Sequence, residues 1–249
     1  MKVSIITIAY NSDETIEDTI LSVASQDYPN IEYIIIDGAS KDQTLAIVNK
    51  HSKRIDKIVS EPDKGIYDAM NKGVQAASGD VIGILNSDDF YANEQVISSI
   101  VKQFESSKAE GVYADLVYVD RQDSDKIIRY WKAGEYQNGL FEKGWMPPHP
   151  AFFVKKSCYD QFGHYSLKLR SAADYELMLR FIRKENIQVS YYPEIITKMR
   201  VGGQSNVSLK NRWKANREDR EAWRMNGLNP SLLTLIRKPL SKIKQYVKR

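Results

Sequence analysis

Short apolar runs alternate with segments of helical periodicity through residues 1–110, and this alternation constrains the fold more than any other feature. The runs are rich in β-branched residues and fall at residues 3–8, 31–37, 56–61 and 80–85. Between them, apolar residues recur every three or four positions, as on one face of a helix. Strands that alternate with helices of this length build βαβ units. The pattern predicts an α/β fold with a mostly parallel central sheet flanked by helices.

The pattern changes after Glu110. Further elements are expected at residues 111–120 and 126–133 (a hairpin), 151–154 (a strand), 173–185 (a helix) and 208–225 (a charged helix). The extended run 189–201 contains Pro193, which indicates an edge strand or an interrupted one. Near the start of the chain, Asn11 followed by Glu14 resembles a capping box and predicts a helix beginning there.

Basic residues are concentrated at the C-terminus. Residues 210–249 contain twelve Lys/Arg and three Asp/Glu, which leaves 24 Lys/Arg and 29 Asp/Glu in the rest of the chain. Apolar residues within 232–249 recur at helical spacing with Lys and Arg between them. Such a segment suits an anionic membrane surface, or it packs on the body through the same apolar stripe. Both interpretations stay open.

Three observations concern the compartment. The single cysteine, Cys158, excludes an internal disulfide framework and fits a reducing environment. The N-terminus lacks the apolar core and cleavage site of a signal peptide. No apolar stretch approaches the roughly 18 residues that a membrane-spanning helix needs. We expect a cytoplasmic protein, with a peripheral membrane contact as one interpretation of the tail.

Two adjacent carboxylates, Asp88 and Asp89, directly follow the run at 80–85, and Asp37 ends the run at 31–37. Adjacent acids serve as a solvated turn, a coupled acid/base pair, or ligands of a divalent metal. In a parallel sheet, ligands bind beyond the carboxyl ends of the strands, where all three carboxylates are expected to meet. That location favours a metal ion that carries phosphates, because the chain has no glycine-rich phosphate loop.

Four ordered segments now carry a resemblance to a known family. They read TIAYNSDETIEDTILSVASQD, IIIDGASKDQT, SEPDKGIYDAMNKGVQAASGD and ILNSDD. They resemble family 2 glycosyltransferases with the GT-A fold, in particular those that build bacterial surface polysaccharides. The resemblance implies a GT-A domain over residues 1–205, with a nucleotide-binding half (1–110) and an acceptor-binding half (111–205). A basic helical extension, residues 206–249, follows.

The resemblance also implies an activity. These enzymes transfer a sugar, with inversion, from a nucleotide-diphosphate sugar, here expected to be a UDP-sugar. The acceptor is a polysaccharide or a polyprenyl-linked oligosaccharide, and Mn²⁺ or Mg²⁺ assists. Asp89 is implied as the direct metal ligand, and Asp88 as the residue that holds ribose or a metal-bound water. Asn86 stands where many relatives carry an acid.

The nucleotide-binding residues are also implied by the resemblance. Base and ribose contacts fall on Ala9, Tyr10, Asn11 and Glu14, the base partner is Asp37, and the lining of the base and phosphate pocket falls on Lys64, Gly65 and Asn71. Asp37 and Lys64 have plain alternatives, a turn residue and a surface lysine. Residues 202–206 (GGQSN) are interpreted as a loop over the donor phosphates or as an ordinary turn.

The general base is expected in the second half of the chain. SAADYELMLR (171–180) resembles the family's acidic element at a helix start, which implies Asp174 as the base. An acid at this position is also favoured by the helix macrodipole, and the two roles are compatible. His149 is implied near the acceptor or the metal, with a structural histidine as the alternative. Trp145 either stacks on a sugar or packs.

Two other functional classes are alternatives to the glycosyltransferase. A sugar nucleotidyltransferase usually carries a glycine-rich basic loop after the first strand, and AYNSDET is not one. A nucleic-acid-binding protein would use the basic tail, but no interleaved aromatic and basic motif occurs in the body. The sequence therefore predicts an enzyme that does not bind nucleic acid.

Overall fold

The computed structural model describes residues 1–202 and 209–230, with only the backbone of residues 209–216. The loop predicted at 202–206 and the tail at 232–249 therefore lie wholly or mostly outside the described residues. The strands are β1 Val3–Ala9, β2 Ile31–Asp37, β3 Lys57–Ser60, β4 Val81–Asn86, β5 Asp89–Tyr91, β6 Gly111–Val119, β7 Ile127–Trp131, β8 Phe152–Lys155 and β9 Val189–Arg200. The helices are α1 Ile16–Ala24, α2 Thr44–Lys50, α3 Ile66–Ala76, α4 Val96–Ser106, α5 Lys156–Phe162, α6 Ala173–Met178 and α7 Leu209–Met225.

A single mixed sheet runs through the described chain in the order β3-β2-β1-β4-β8-β6-β9-β5, and β7 pairs with β6. The longest ladders, β1 with β2, β1 with β4 and β6 with β9, are parallel. Strands β5, β7 and β8 join by antiparallel pairing. The predicted α/β fold with a mostly parallel sheet and flanking helices is confirmed.

Both faces of the sheet are covered by helices, which explains why the strands read as continuous apolar runs. In β1, Ile6 and Ile8 pack in one apolar cluster with α3, whereas Val3 and Ile5 pack in a second cluster with α1 and α4. The sheet therefore has two cores, and its strand ends remain as the place where polar residues gather.

The extended run at 189–201 is one strand with an interruption. Its register against β6 shifts at Pro193, because Ala114 pairs with Tyr192 whereas Asp115 pairs with Ile195. Strand β9 also pairs with β5 on its other side, so the edge-strand interpretation is wrong and the interruption is confirmed.

The predicted capping box is wrong. Helix α1 begins at Ile16, with Thr15 at its N-cap. Asn11 has a left-handed backbone (φ 48°), and its Oδ1 accepts a hydrogen bond from the Lys41 amide at 2.9 Å. Asn11 therefore shapes a turn that touches the loop after β2. Strand β5 and helix α5 were not predicted.

Glu32 is a buried carboxylate near the N-terminal end of the parallel strands. It accepts hydrogen bonds from the Ser4 hydroxyl at 2.6 Å and from the Ser78 amide and hydroxyl, both at 2.7 Å. Lys57 lies 3.3 Å away. Burial alone would raise the pKa of Glu32, but these partners outweigh it and lower the pKa to about 2.

We expect Glu32→Gln to reduce the free energy of unfolding at neutral pH by about 3 kcal/mol. Because the folded pKa is depressed, this stabilisation is complete above the unfolded value of 4.5 and is lost as pH falls towards about 2. Urea unfolding near pH 7 and about pH 3 measures it. The exposed Glu105→Gln is the control. An equal fall in stability on acidification in wild type and Glu32→Gln would contradict this account.

Candidate active site

The paired carboxylates lie in the tight connection between β4 and β5. Strand β4 ends at Asn86, and β5 begins at Asp89 and pairs with β9. The pairing turns Asp89 inward, where its side chain is fully buried and accepts a hydrogen bond from the Asn86 amide at 2.9 Å. Asp88 remains partly exposed.

Burial and mutual repulsion disfavour the negative charges of this pair. Burial raises the pKa of Asp88, although Arg121 and Arg200 oppose the shift. Burial and the negative charge of Asp88 raise the pKa of Asp89 well above its usual range. Asp89 Oδ1 and Asn86 Oδ1 are buried without a hydrogen-bond partner. Additional positive charge beside Asp88 would relieve this repulsion.

The oxygen-rich pair fits a divalent cation of the Mg²⁺ or Mn²⁺ type. Such a cation is commonly held by one or two carboxylates, substrate phosphates and water. The described residues contain no group of three His, Cys, Asp or Glu side chains placed around one ion. The predicted set of Asp88, Asp89 and His149 is therefore not assembled. Asp89 as the direct ligand stays a prediction: its carboxylate is fully buried here, and its Oδ1 is an acceptor without a hydrogen-bond partner.

Two arginines beside the carboxylates were not predicted from the sequence. Arg200, at the end of β9, donates to the Asp88 carbonyl at 3.1 Å and lies over the Phe90 ring at 4.7 Å. Arg121, in the β6–β7 turn, pairs with Glu14 at 2.7 Å. They line a cavity of about 420 Å³ together with Glu14, Thr15, Asp18, Gln122 and Ser124. Glu14 therefore borders this cavity as the partner of Arg121.

The residues predicted to contact the base and ribose lie at the ends of β1 and β2. Ala9 and Asp37 are aligned in the parallel ladder between these strands. Asp37 is buried and accepts a hydrogen bond from the Ser60 hydroxyl at 2.6 Å and another from Ser40. Tyr10 follows Ala9 and is 55% exposed. An exposed ring beside a buried acid suits the face and edge of a planar base.

The loop before α3 approaches the same strand ends. A Cβ atom added at Gly38 would stand 2.5 Å from Asp63 and 3.3 Å from Tyr10. Lys64 and Gly65 directly follow Asp63, and Gly65 has a φ of 115° that favours glycine. Lys64 and Gly65 therefore follow a residue that approaches these strand ends, and their place in the nucleotide pocket stays a prediction.

Asn71 has a different set of contacts. Its amide donates to the Tyr165 carbonyl and accepts from the Tyr165 amide, both at 2.9 Å. Both polar atoms of the side chain are therefore used to fix the loop around Tyr165 to α3. The predicted nucleotide contact of Asn71 stays a prediction, and the clamp on Tyr165 is what the structure adds.

Asp174 lies in the first turn of α6, as the sequence predicted. The Tyr67 hydroxyl, from α3, donates to Asp174 Oδ1 at 3.0 Å. Burial and the charge of Asp174 raise the pKa of Tyr67 well above its usual range, so the phenol stays protonated and remains a donor. Tyr67 does not bond the second carboxylate oxygen of Asp174, Oδ2.

His149 belongs to the surroundings of Asp174. Its ring is buried, and Nε2 lies 2.8 Å from the Tyr165 hydroxyl. Burial lowers the pKa of His149, and the charge of Asp174 opposes this shift. The Tyr165 ring stacks on Tyr67 with centroids 5.9 Å apart. Residues His149–Ala151 also pack against β4, the strand that leads to the paired carboxylates.

Trp145 packs within the protein. Its indole N–H donates to the Ala133 carbonyl at 2.7 Å, and its ring contacts Tyr113, Tyr136 and Phe141. This aromatic cluster supports the segment that leads to His149. Of the two roles considered from the sequence, packing is the one observed.

Comparison with known proteins assigns the family. Residues 4–175 match the family described as Glycosyl transferase family 2. The chain belongs to this family. The match covers both strand ends that hold the paired carboxylates and Asp37, and it ends just after Asp174. The chain is therefore a glycosyltransferase, as the resemblance implied.

Relatives of this glycosyltransferase are themselves named glycosyltransferases. An uncharacterized glycosyltransferase of Mycobacterium tuberculosis is 34% identical over 186 residues, which are 72% of this chain and 68% of the relative. A PGL/p-HBAD biosynthesis glycosyltransferase of Mycobacterium bovis is 27% identical over 75% of this chain and 72% of the relative.

Solved structures share the fold of this glycosyltransferase. S. aureus TarS (residues 1–349) in complex with UDP-GlcNAc superposes with a TM-score of 0.70 at 18% identity, covering 95% of this chain and 69% of that chain. The mannosyltransferase PcManGT of Pyrobaculum calidifontis, in complex with GDP-Man and Mn²⁺, gives a TM-score of 0.64 at 16% identity, covering 99% and 81%. These similarities confirm the GT-A type of fold.

Within residues 1–202 and 209–230, no helix has the length and apolarity to cross a membrane.

Proposed function

We propose that this glycosyltransferase moves a sugar from a UDP-sugar, with inversion, to a saccharide or polyprenyl-linked saccharide acceptor. The observation that carries the proposal is the arrangement of the acids at the carboxyl edge of the sheet. Arg200 contacts Asp88, and the segment at His149 packs against β4 and lies near Asp174. A donor diphosphate beside Asp88 would leave its sugar facing Asp174.

The donor binds between the ends of β1, β2 and β4 in this proposal. Tyr10 and Asp37 flank the base, and Lys64 and Gly65 close the same side. Asp88 would hold a divalent cation next to the diphosphate, and Arg121 and Arg200 would add positive charge there. When bound, the cation would supply positive charge that stabilises the leaving diphosphate without proton transfer.

Asp174 acts as the general base. Its free carboxylate oxygen accepts the proton of the acceptor hydroxyl while that oxygen attacks sugar C1 from the side opposite the diphosphate. The Tyr67 phenol donates to the other oxygen at 3.0 Å, which in this proposal leaves the second oxygen, Oδ2, for the acceptor proton. A single base and a departing diphosphate account for the inverting transfer.

Thermal-shift measurements with Mn²⁺ and a panel of nucleotides test the donor class. UDP and a UDP-sugar are expected to raise Tm, whereas GDP and nucleoside triphosphates give smaller shifts. Transfer of a labelled sugar from the stabilising donor confirms the activity. Release of pyrophosphate from a nucleoside triphosphate would instead indicate a nucleotidyltransferase, and the absence of any nucleotide-dependent shift would refute the donor site.

Tyr67→Phe is expected to lower kcat roughly tenfold with little change in the KM of the donor, because one charge-assisted hydrogen bond to Asp174 is lost. The ring is retained, so the stack on Tyr165 persists. Tyr28→Phe removes a hydroxyl whose bond to the Met1 carbonyl lies at the other end of the strands, and it is the matched control. Equal kcat values in the two variants would refute a role for the Tyr67 hydroxyl.

A further inference from the structure

Helix α7 lies beyond the residues that match the family, yet it packs against α6, which carries Asp174. Its sequence is strongly polar, but Ala222 and Trp223 in its last turn, and Asn226 directly after it, are buried. Polar side chains buried at a helix contact are normally hydrogen-bonded, and the partners of these residues are specific.

Two buried hydrogen bonds join α7 to the residues that directly follow Asp174. The Trp223 indole N–H donates to the Tyr175 hydroxyl at 2.8 Å. The Asn226 amide donates to Glu176 Oε1 at 3.0 Å. Glu176 in turn holds Arg180 through two contacts of 3.0 Å. The first turn of α6 is therefore fixed on its far side by α7.

A third contact reaches the residues that precede Asp174. The Glu218 carboxylate accepts hydrogen bonds from the Arg170 amide at 3.1 Å, the Ser171 amide at 2.7 Å and the Ser171 hydroxyl at 2.9 Å. Three donors converge on one carboxylate oxygen, a charge-assisted arrangement that holds the loop firmly. Both flanks of Asp174 are thus attached to the same helix.

We infer that α7 is the positioning element of the base, and that Glu218 is its principal positioning residue. The inference rests on the proposed function, in which Asp174 takes the acceptor proton. A base acts only within hydrogen-bond reach of that proton, and a misplacement of about 1 Å costs up to roughly a hundredfold in rate. Glu218 acts through the backbone at 170–171, which sets where the first turn of α6 begins.

The test compares Glu218→Ala with Glu221→Ala in the full chain. Glu221 is an exposed acid of the same helix whose ion pair with Arg224, at 3.9 Å, stays within α7. Glu218→Ala is expected to lower kcat for transfer roughly tenfold, with the KM of the donor and its affinity unchanged. Glu221→Ala is expected to match wild type. Equal kcat values in the two variants, or a matching loss of donor affinity in Glu218→Ala, would overturn the inference.

Hydrogen exchange supplies a readout that does not depend on activity. In Glu218→Ala, amides of residues 170–176 are expected to exchange faster than in Glu221→Ala, with the global Tm lowered by only a few degrees. Unchanged exchange would overturn the inference even if the wild-type chain transferred sugar. Faster exchange in a chain that transfers no sugar would refute the proposed function while leaving the hold of α7 on this turn intact.

Discussion

Asp174→Asn is expected to reduce kcat for sugar transfer by roughly 10²–10⁴, because a carboxamide cannot accept the acceptor proton. The substitution keeps the shape of the side chain, and the amide oxygen can still accept the hydrogen bond from Tyr67. The KM of the donor is therefore expected to stay within about twofold. Steady-state kinetics with a labelled donor measure both quantities.

Asp160→Asn is the matched control for that substitution. It removes the same charge from an exposed acid of α5 that pairs with Lys156 on the same helix. Its kcat should equal that of the wild type. A wild-type kcat in Asp174→Asn would exclude this residue as the base and move the search to another acid of the acceptor side.

Asp88→Asn is expected to lower kcat/KM by roughly 10²–10³, through loss of the carboxylate that holds the cation beside the diphosphate. The affinity for UDP should become nearly independent of Mn²⁺. In the wild type, EDTA should abolish transfer and added Mn²⁺ should restore it. Titration calorimetry of UDP with and without Mn²⁺ separates the loss of binding from the loss of turnover.

Asp125→Asn provides the comparison for Asp88. Asp125 is 93% exposed at its side chain, in the β6–β7 turn near the same cavity, and it carries an ion pair with Lys198. The substitution tests whether the loss of any negative charge near the cavity lowers kcat/KM. The account would be contradicted if the wild type kept full activity in EDTA and Asp88→Asn kept the wild-type kcat/KM. Transfer would then need neither the cation nor this carboxylate.

Much of the sheet could be predicted because local sequence decides it. The run at 31–37 forms β2 over the same residues, since a continuous β-branched run is typical of a strand buried on both faces. Strand β5 could not be predicted, because it has three residues and exists through its pairing with β9. Asn11 and Glu14 fit a capping box locally, but their partners are Lys41 and Arg121.

The site was predictable in location more than in detail. Strand ends placed Asp37, Asp88 and Asp89 at one edge, and that followed from the order of the elements. The pairing of β5 with β9 decides which of the two acids faces solvent. In this pairing Asp89 lies opposite Met199, 110 residues later in the chain, so no local pattern reveals it. The contact of Tyr67 with Asp174 spans 107 residues and leaves no local pattern.

The central claim is that Asp88 and Asp174 face one donor from opposite sides. A crystal grown with UDP and Mn²⁺, measured at the manganese absorption edge, tests this through the anomalous difference map. The account predicts one manganese peak between the diphosphate and the Asp88 carboxylate, with the free Asp174 oxygen directed at the sugar side of the diphosphate. A peak elsewhere, or an Asp174 carboxylate turned away from UDP, would contradict it.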